Sequence, residues 1–324
     1  MVRNCAASIR DNNPGNGLSG DLFHPFSVRL FSRSGRAQGE FRRGETVNIR
    51  HPAIRYHGGK FRLASWIISH FPAHRCYVES FGGAASVLLR KAPGEAEVYN
   101  DLDSDVVNLF RILRDPVLSE RLSEACALTP YSREEFRCAY DHSDDPVERA
   151  RRLVVRSTMG FGSAGATRGN TGFRLDTKRN SATAQRIWAR QPDNLAAVAS
   201  RFAGVLVENR SAIQCMRDHD TESTLHFVDP PYIHGTRIEV AKNSAYRFEM
   251  TDTEHAGLLD ALKSLSGMVI VCGYDSELYN DMLSGWKQVS RTTAANGRKG
   301  SVQRTECLWM NPAVTVQQKQ GGRV

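Results

Sequence analysis

The sequence predicts an α/β fold in which an open, mostly parallel sheet carries helices on both faces and is interrupted by a long helical insert. Three observations predict it. Strand-like apolar runs alternate with helix-periodic stretches between residues 54 and 115. The alternation resumes only near residue 225, and the stretch between is helical in pattern and basic. A β-turn-α-β-α start of this kind builds a parallel sheet, and a chain that leaves the sheet and later returns leaves an insert behind.

The elements follow in order. Residues 1–50 hold no sustained period, and NNPGNGLSG has a loop composition, so a flexible basic arm is expected there. After GGK, the run FRLASWIISHF places Leu63, Ile67 and Phe71 at helical spacing. RCYVESF reads as a strand and GGAASVLLRK as the turn and helix after it. AEVYNDLD is the next strand, with an acidic end, and VVNLFRILRD the next helix. Residues 116–225 form the insert, including the glycine-rich stretch MGFGSAGATRGNTGF. Sheet signals return at TLHFVDPPY. Thr251 and Glu254 make a capping box for HAGLLDALKSL, which Gly267 ends. MVIVCGY is a buried strand, SELYNDML a short helix, and WKQVSR and TECLWMNP the closing strands. The sheet domain is therefore discontinuous, 51–115 and 226–314, with a tail at 315–324.

Composition narrows the function classes. No run approaches the roughly 18 apolar residues of a membrane span. The seven cysteines are odd in number, widely spaced and form no CxxC pair, which argues against a zinc site and a disulfide framework and for a reducing, cytoplasmic setting. The histidines show no metal spacing, so no metal is expected, and a monomer in solution is. The formal charge is +8. Between Val147 and Arg190 ten Arg/Lys face only Glu148 and Asp176, so that stretch alone carries the whole excess, and a polyanion-binding role is expected of it.

Asp229-Pro230-Pro231-Tyr232 stands where the strand LHFV ends, at the carboxyl edge where open α/β sheets bind ligands. An aromatic amine is a poor nucleophile because its lone pair is delocalised into the ring. A carboxylate and a backbone carbonyl accepting both amine hydrogens free that lone pair for attack on a methylsulfonium. Asp229 offers the carboxylate, and the Pro230-Pro231 pair fixes a carbonyl without a competing N–H. Tyr232 offers a flat face for a base turned out of the helix. Glycines after the first strand let the backbone approach a ligand. Asp101, roughly 20 residues further on, suits a ribose-gripping acid, while Asp103 and Asp105 read as helix N-caps. Tyr56 and Lys60 stand just before a helix, placed to pack on a cofactor and meet its carboxylate.

The ordered set YHGGK, VESFGGAAS, YNDLD, a long insert, DPPY and RTECLWMNP resembles the Dam-type, alpha-group N6-adenine DNA methyltransferases, especially the phage and prophage branch, over about residues 54–312. The resemblance implies a Rossmann-like class I methyltransferase sheet, with the insert as target-recognition domain. It implies S-adenosyl-L-methionine as methyl donor and a flipped adenine of double-stranded DNA as target, in a bacterial or phage-infected cell. Tyr56, Lys60, Phe81, Gly83, Asp101 and Asp229 would line the cofactor site, and Asp229, Pro230 and Tyr232 would hold the adenine. For DNA contacts we expect Arg168, Asn170 and Arg174 in the glycine-rich stretch, with Arg298 and Lys299 as the next candidates. Two departures from the family pattern stand out: Ser80 where a proline is usual, and Ala85 at the second glycine of FxGxG. The methyl group of Ala85 fits if its φ is negative.

Rival readings separate on single features. A C5-cytosine enzyme attacks through a Pro-Cys cysteine, and no Pro-Cys occurs. An N4-cytosine enzyme uses the same amine chemistry but more often begins its tetrapeptide with serine. An RNA or glutamine-amide methyltransferase would use a similar pocket. A non-catalytic DNA-binding protein of this fold would not need Asp229 and Tyr232 intact. A dehydrogenase would show GxGxxG after its first strand.

Overall fold

The structure, a computed structural model, describes residues 49, 51–163, 165, 166, 169, 171–175, 183–236, 246–297 and 300–321. The expected arm at 1–50 lies outside the described residues apart from Ile49, which is buried in the core. Among the described residues, seven strands form one sheet: β1 (Cys76–Glu79), β2 (Ala96–Asn100), β3 (Leu206–Glu208), β4 (Thr224–Val228), β5 (Met268–Tyr274), β6 (Lys287–Gly297) and β7 (Gly300–Met310). Their order is β3-β2-β1-β4-β5-β7-β6. The pairs from β3 to β5 are parallel, while β7 runs antiparallel to both β5 and β6. The chain moves outward from β1 to β2 and β3, then returns to lay β4 on the other side of β1. That reversal opens a crevice at the carboxyl ends of β1 and β4.

Helices cover both faces. α1 (Ala64–Ile68) precedes β1, and α2 (Ser104–Arg114) follows β2. α3 (Pro116–Leu128), α4 (Arg133–Cys138), α5 (Pro146–Met159), α6 (Ala184–Trp188) and α7 (Gln191–Phe202) come next. α8 (Ala212–Asp218), α9 (Asp252–Lys263), α10 (Glu277–Met282) and α11 (Pro312–Gly321) complete the set. Strand alternation sorts the core into two clusters. Tyr77, Tyr99, Phe227 and Ile270 pack with α2, α5 and α7 on one face. Val78, Val98, Val228 and Val271 pack with α8, α9 and α10 on the other.

Asp103 caps α2 by accepting the Asp105 N–H, as its position suggests, while Asp105 is itself the second helical residue. The Thr251–Glu254 capping box closes the start of α9. Three stretches differ from the pattern reading. Residues 83–90 form consecutive turns rather than a helix. There the buried Glu79 Oε2 accepts the Leu88 N–H at 2.7 Å, and Gly83 and Ala85 both have positive φ, +47° and +53°. A side-chain acceptor inside the turn replaces a helical carbonyl, and two left-handed residues break the helical path. Leu206–Glu208, within the stretch read as insert, is the sheet's edge strand β3. Finally, α11 carries the chain through residues 315–321 as helix, its Gln318 side chain donating to the His70 carbonyl at 2.6 Å.

The helices between α2 and β3 share the sheet's core instead of building their own. Phe110 of α2 stacks on Phe202 of α7 at 4.3 Å, and Tyr99 of β2 lies 4.6 Å from Phe110. Each such buried ring contributes about 1.5–3 kcal/mol. Arg201 of α7 also donates to both carboxylate oxygens of the buried Glu97 on β2, at 2.6 and 2.8 Å. Removing one partner of a buried pair costs about 3–5 kcal/mol.

Candidate active site

The crevice holds a cavity of about 510 Å³ lined by Tyr56, Lys60, Phe81, Gly83, Asp101, Asp229 and Pro231 among others. Residues scattered from Tyr56 to Pro231 thus meet because β1, β2 and β4 end side by side. Pro230 and Tyr232 are buried behind this lining.

On the β2 side, Asp101 accepts the Gly83 N–H through Oδ2 and the Asp103 N–H through Oδ1, both at 2.8 Å. Burial pushes its carboxyl up to about 6, and those two backbone donors hold it from going further. The glycine turn is shaped by what surrounds it. A Cβ on Gly82 would stand 2.2 Å from the Tyr99 ring, and one on Gly83 2.9 Å from the Tyr56 ring. The condition set for Ala85 is not met: its φ is +53°, with its side chain fully buried. The alanine stands in the left-handed conformation that the usual glycine adopts at little cost.

On the β4 side, Asp229 Oδ1 lies 3.0 Å from Lys60 Nζ. The ammonium also donates to the Gly58 carbonyl at 2.7 Å and sits 4.6 Å from the centre of the Tyr232 ring. Burial alone would lower the Lys60 pKa, but the Asp229 and Glu306 carboxylates outweigh it and keep the ammonium charged. Burial pushes the Asp229 carboxyl up, and Lys60 opposes that rise. Lys60 therefore serves Asp229 directly, a contact the sequence did not suggest.

Tyr232 is 7% exposed, with Lys60 against its ring and the Tyr274 ring edge-on at 4.6 Å. Its hydroxyl donates to Glu306 Oε2 at 2.6 Å, which fixes the ring inward. Sequence reasoning misses both Glu306 and the buried Glu79. Burial pushes the Glu79 carboxyl up to about 8, against the pull of its donors Tyr77 and Leu88. A charged residue bordering an apolar run, after Cys76–Val78 for Glu79 and before Cys307–Met310 for Glu306, is the signal that marks each.

In the basic stretch, the four arginines of α5 bond within the protein. Arg149 donates to Asp105 at 2.8 Å, Arg151 to Glu148 and Glu135, Arg152 to Glu148, and Arg156 to the Ala139 carbonyl. Asp105 and Glu135 lie outside the stretch, so counting charge within it overstates what faces solvent. Arg174 is half-buried beside the Gly160–Phe173 bridge, its carbonyl accepting from the Tyr131 hydroxyl at 2.7 Å. Arg168, Asn170, Arg298 and Lys299 lie outside the described residues.

A parallel sheet with one reversed strand, a glycine turn after β1 and acids ending β2 and β4 together define a Rossmann-like methyltransferase fold. The family model of the D12 class N6 adenine-specific DNA methyltransferases matches residues 56–294, and the chain belongs to that family. It is similar to a DNA adenine methylase of Haemophilus influenzae, 31% identical over 119 residues, 34% of this chain and 41% of that protein. A DNA adenine methylase of Serratia marcescens is 38% identical over 61 residues, 19% and 22% of the two chains. One of Escherichia coli is 28% identical over 118 residues, 33% and 40%. The chain thus spans about two fifths of the length of the Haemophilus and Escherichia relatives, and less of the third. Among the described residues no group of three His, Cys, Asp or Glu could hold a metal, and no helix is long and apolar enough to cross a membrane.

Proposed function

We propose that the protein methylates N6 of adenine in double-stranded DNA, with S-adenosyl-L-methionine as donor. The observation that carries this reading is the placement of two acids, Asp101 and Asp229, at the ends of β2 and β4 around one cavity at the switch point of the sheet. The cavity's size falls within the roughly 300–1,000 Å³ of small-molecule sites. Its glycine turn lacks room for a Cβ because aromatic rings already crowd it, so backbone faces the cavity directly. These features fit a nucleoside cofactor, which when bound supplies an electrophilic methyl group.

The chain's own residues divide the work. Asp101 accepts ribose hydroxyls, its carboxylate held by Gly83 and Asp103. Asp229 accepts a hydrogen of the adenine amine, and Lys60 keeps that carboxylate charged and fixed in direction. Pro230 removes an N–H that would compete with the substrate for nearby acceptors. Tyr232 acts from behind, bracing Lys60 against Glu306. Orientation of the amine is then the main catalytic device, worth several kcal/mol when reacting groups are held in contact. The helices of the insert would read the bases around the target. The test is transfer of tritiated methyl groups onto plasmid DNA. Label recovered in N6-methyladenine is expected, and a folded protein that binds the cofactor yet labels no DNA would refute the reading.

A further inference from the structure

Residues 246–250, just before α9, form one wall of the cavity. Tyr246, Phe248, Glu249 and Met250 line it, whereas Arg247 does not. The Arg247 guanidinium instead reaches the loop between β2 and α2, where its Nη1 donates to Asp103 Oδ1 at 2.9 Å and to Asp105 Oδ2 at 3.0 Å. That loop begins at Asp101. One side chain thus ties the wall to the loop that carries the ribose-binding acid.

The two ends of the wall are held differently. At the α9 end, Met250 packs on the core and Thr251 closes the capping box. At the other end, the Tyr246 ring stands edge-on to His57 at 5.0 Å, and its hydroxyl lies so close to Gly58 that a Cβ there would collide with it. Between them Phe248 is 46% exposed. An aromatic ring left open at the rim of a cavity is what a bound flat ligand covers. The carboxylates that receive Arg247 are well placed to hold it. The Asp103 side chain is 2% exposed and that of Asp105 22%. Burial works to raise the Asp105 carboxyl, but bonds from Arg149 and Arg247 hold it below its usual range, so it stays charged at neutral pH.

We infer that Arg247 is a positioning residue for the cofactor: by bonding Asp103 and Asp105 it holds the wall at 246–250 against the Asp101 loop, and so sets how long S-adenosylmethionine stays bound. Asp101 and Phe248 line the same cavity, so a cofactor held at Asp101 is retained by a wall that this ion pair keeps in place. Arg247 itself touches no reacting group.

The inference rests on the cavity being the S-adenosylmethionine site, and the experiment separates the two claims. Cofactor affinity is measured by calorimetry and cofactor release by stopped flow, on the full chain and on Arg247→Met, Arg247→Lys and Arg149→Met. Arg149 donates to the same Asp105 at 2.8 Å but belongs to α5, which does not line the cavity. Arg247→Met should bind the cofactor about three- to tenfold more weakly, the scale of losing a half-exposed ion pair. The loss should lie in faster release, with KM for the cofactor raised by the same factor and kcat at saturating cofactor unchanged. Arg247→Lys should recover part of the loss, since an ammonium can pair with one of the two carboxylates. Arg149→Met should keep the wild-type affinity. Raising salt from about 0.05 to about 0.5 M should narrow the gap between wild type and Arg247→Met, because a half-exposed pair is screened. Wild-type release from Arg247→Met would overturn the inference. An equal loss in Arg149→Met would overturn it too, by tracing the effect to Asp105 rather than to the wall. Should Arg247→Met fail to fold, Arg247→Lys decides: faster release is expected, and wild-type release would overturn the inference. A wild type that binds no S-adenosylmethionine would instead remove the cofactor reading, and the role of Arg247 with it.

Discussion

Asp101 and Asp229 end two strands of one crevice, and burial, which raises both carboxyls, is opposed at each by different means. Asp101 is solvated by two backbone N–H groups, and burial still leaves its carboxyl at about 6. Asp229 has a buried lysine at 3.0 Å. Dipoles fixed by the backbone cannot be lost by one substitution, whereas an ion pair can. The Asp101 side of the cavity should therefore tolerate single substitutions around it, and the Asp229 side should depend on one residue.

The largest expected effect is at Asp229. Asp229→Ala should lower methyl transfer by at least about 10²–10³-fold, the scale of losing a preorganised electrostatic contact to the reacting group, with cofactor affinity changed far less. A steady-state comparison on folded protein checks it. Asp101→Ala should weaken cofactor binding about 30- to 1000-fold, from a loss of about 2–4 kcal/mol, with little change in DNA affinity. Titration calorimetry reads both. In the wild type, affinity for the cofactor should fall as pH drops through about 6, because the hydroxyl donors require the ionised Asp101.

Lys60→Met sharpens the comparison. Without the ammonium, burial acts on Asp229 unopposed by a neighbouring cation, so its carboxyl rises further and protonates at higher pH. The acid limb of the pH–rate profile should move to higher pH, while the pH dependence of cofactor binding set by Asp101 stays in place. An unmoved limb would mean that Lys60 does not control Asp229.

Much of this site was legible because it is written locally. Apolar runs ending in Asp101 and Asp229 mark strand ends, and Gly82-Gly83 marks the close turn. What was not legible depends on partners far along the chain. The Tyr232 hydroxyl finds its acceptor in Glu306, 74 residues on. The arginines of α5 read as a DNA surface until Asp105 and Glu135 fold against them. β3 is three residues long and follows a helix without alternation, so no period betrays it. The turn at 83–90 has a helix-forming sequence, and only the Glu79 carboxylate and the backbone at Ala85 redirect it.

Ala85 gives the smallest effect and tests the turn itself. An alanine at a left-handed φ costs about 1–2 kcal/mol, partly offset by the greater unfolded-state entropy of glycine. Ala85→Gly should stabilise the protein by about 0.5–1 kcal/mol, measured by denaturant unfolding. A destabilised variant would show that the buried methyl group outweighs the backbone conformation.

The most direct test of the account is modification-sensitive long-read sequencing of DNA from cells expressing the wild type or Asp229→Ala. The account predicts N6-methyladenine at a defined short motif with the wild type, and its loss with the variant although the protein remains folded. N4-methylcytosine in place of methyladenine, or equal adenine methylation by the variant, would contradict it.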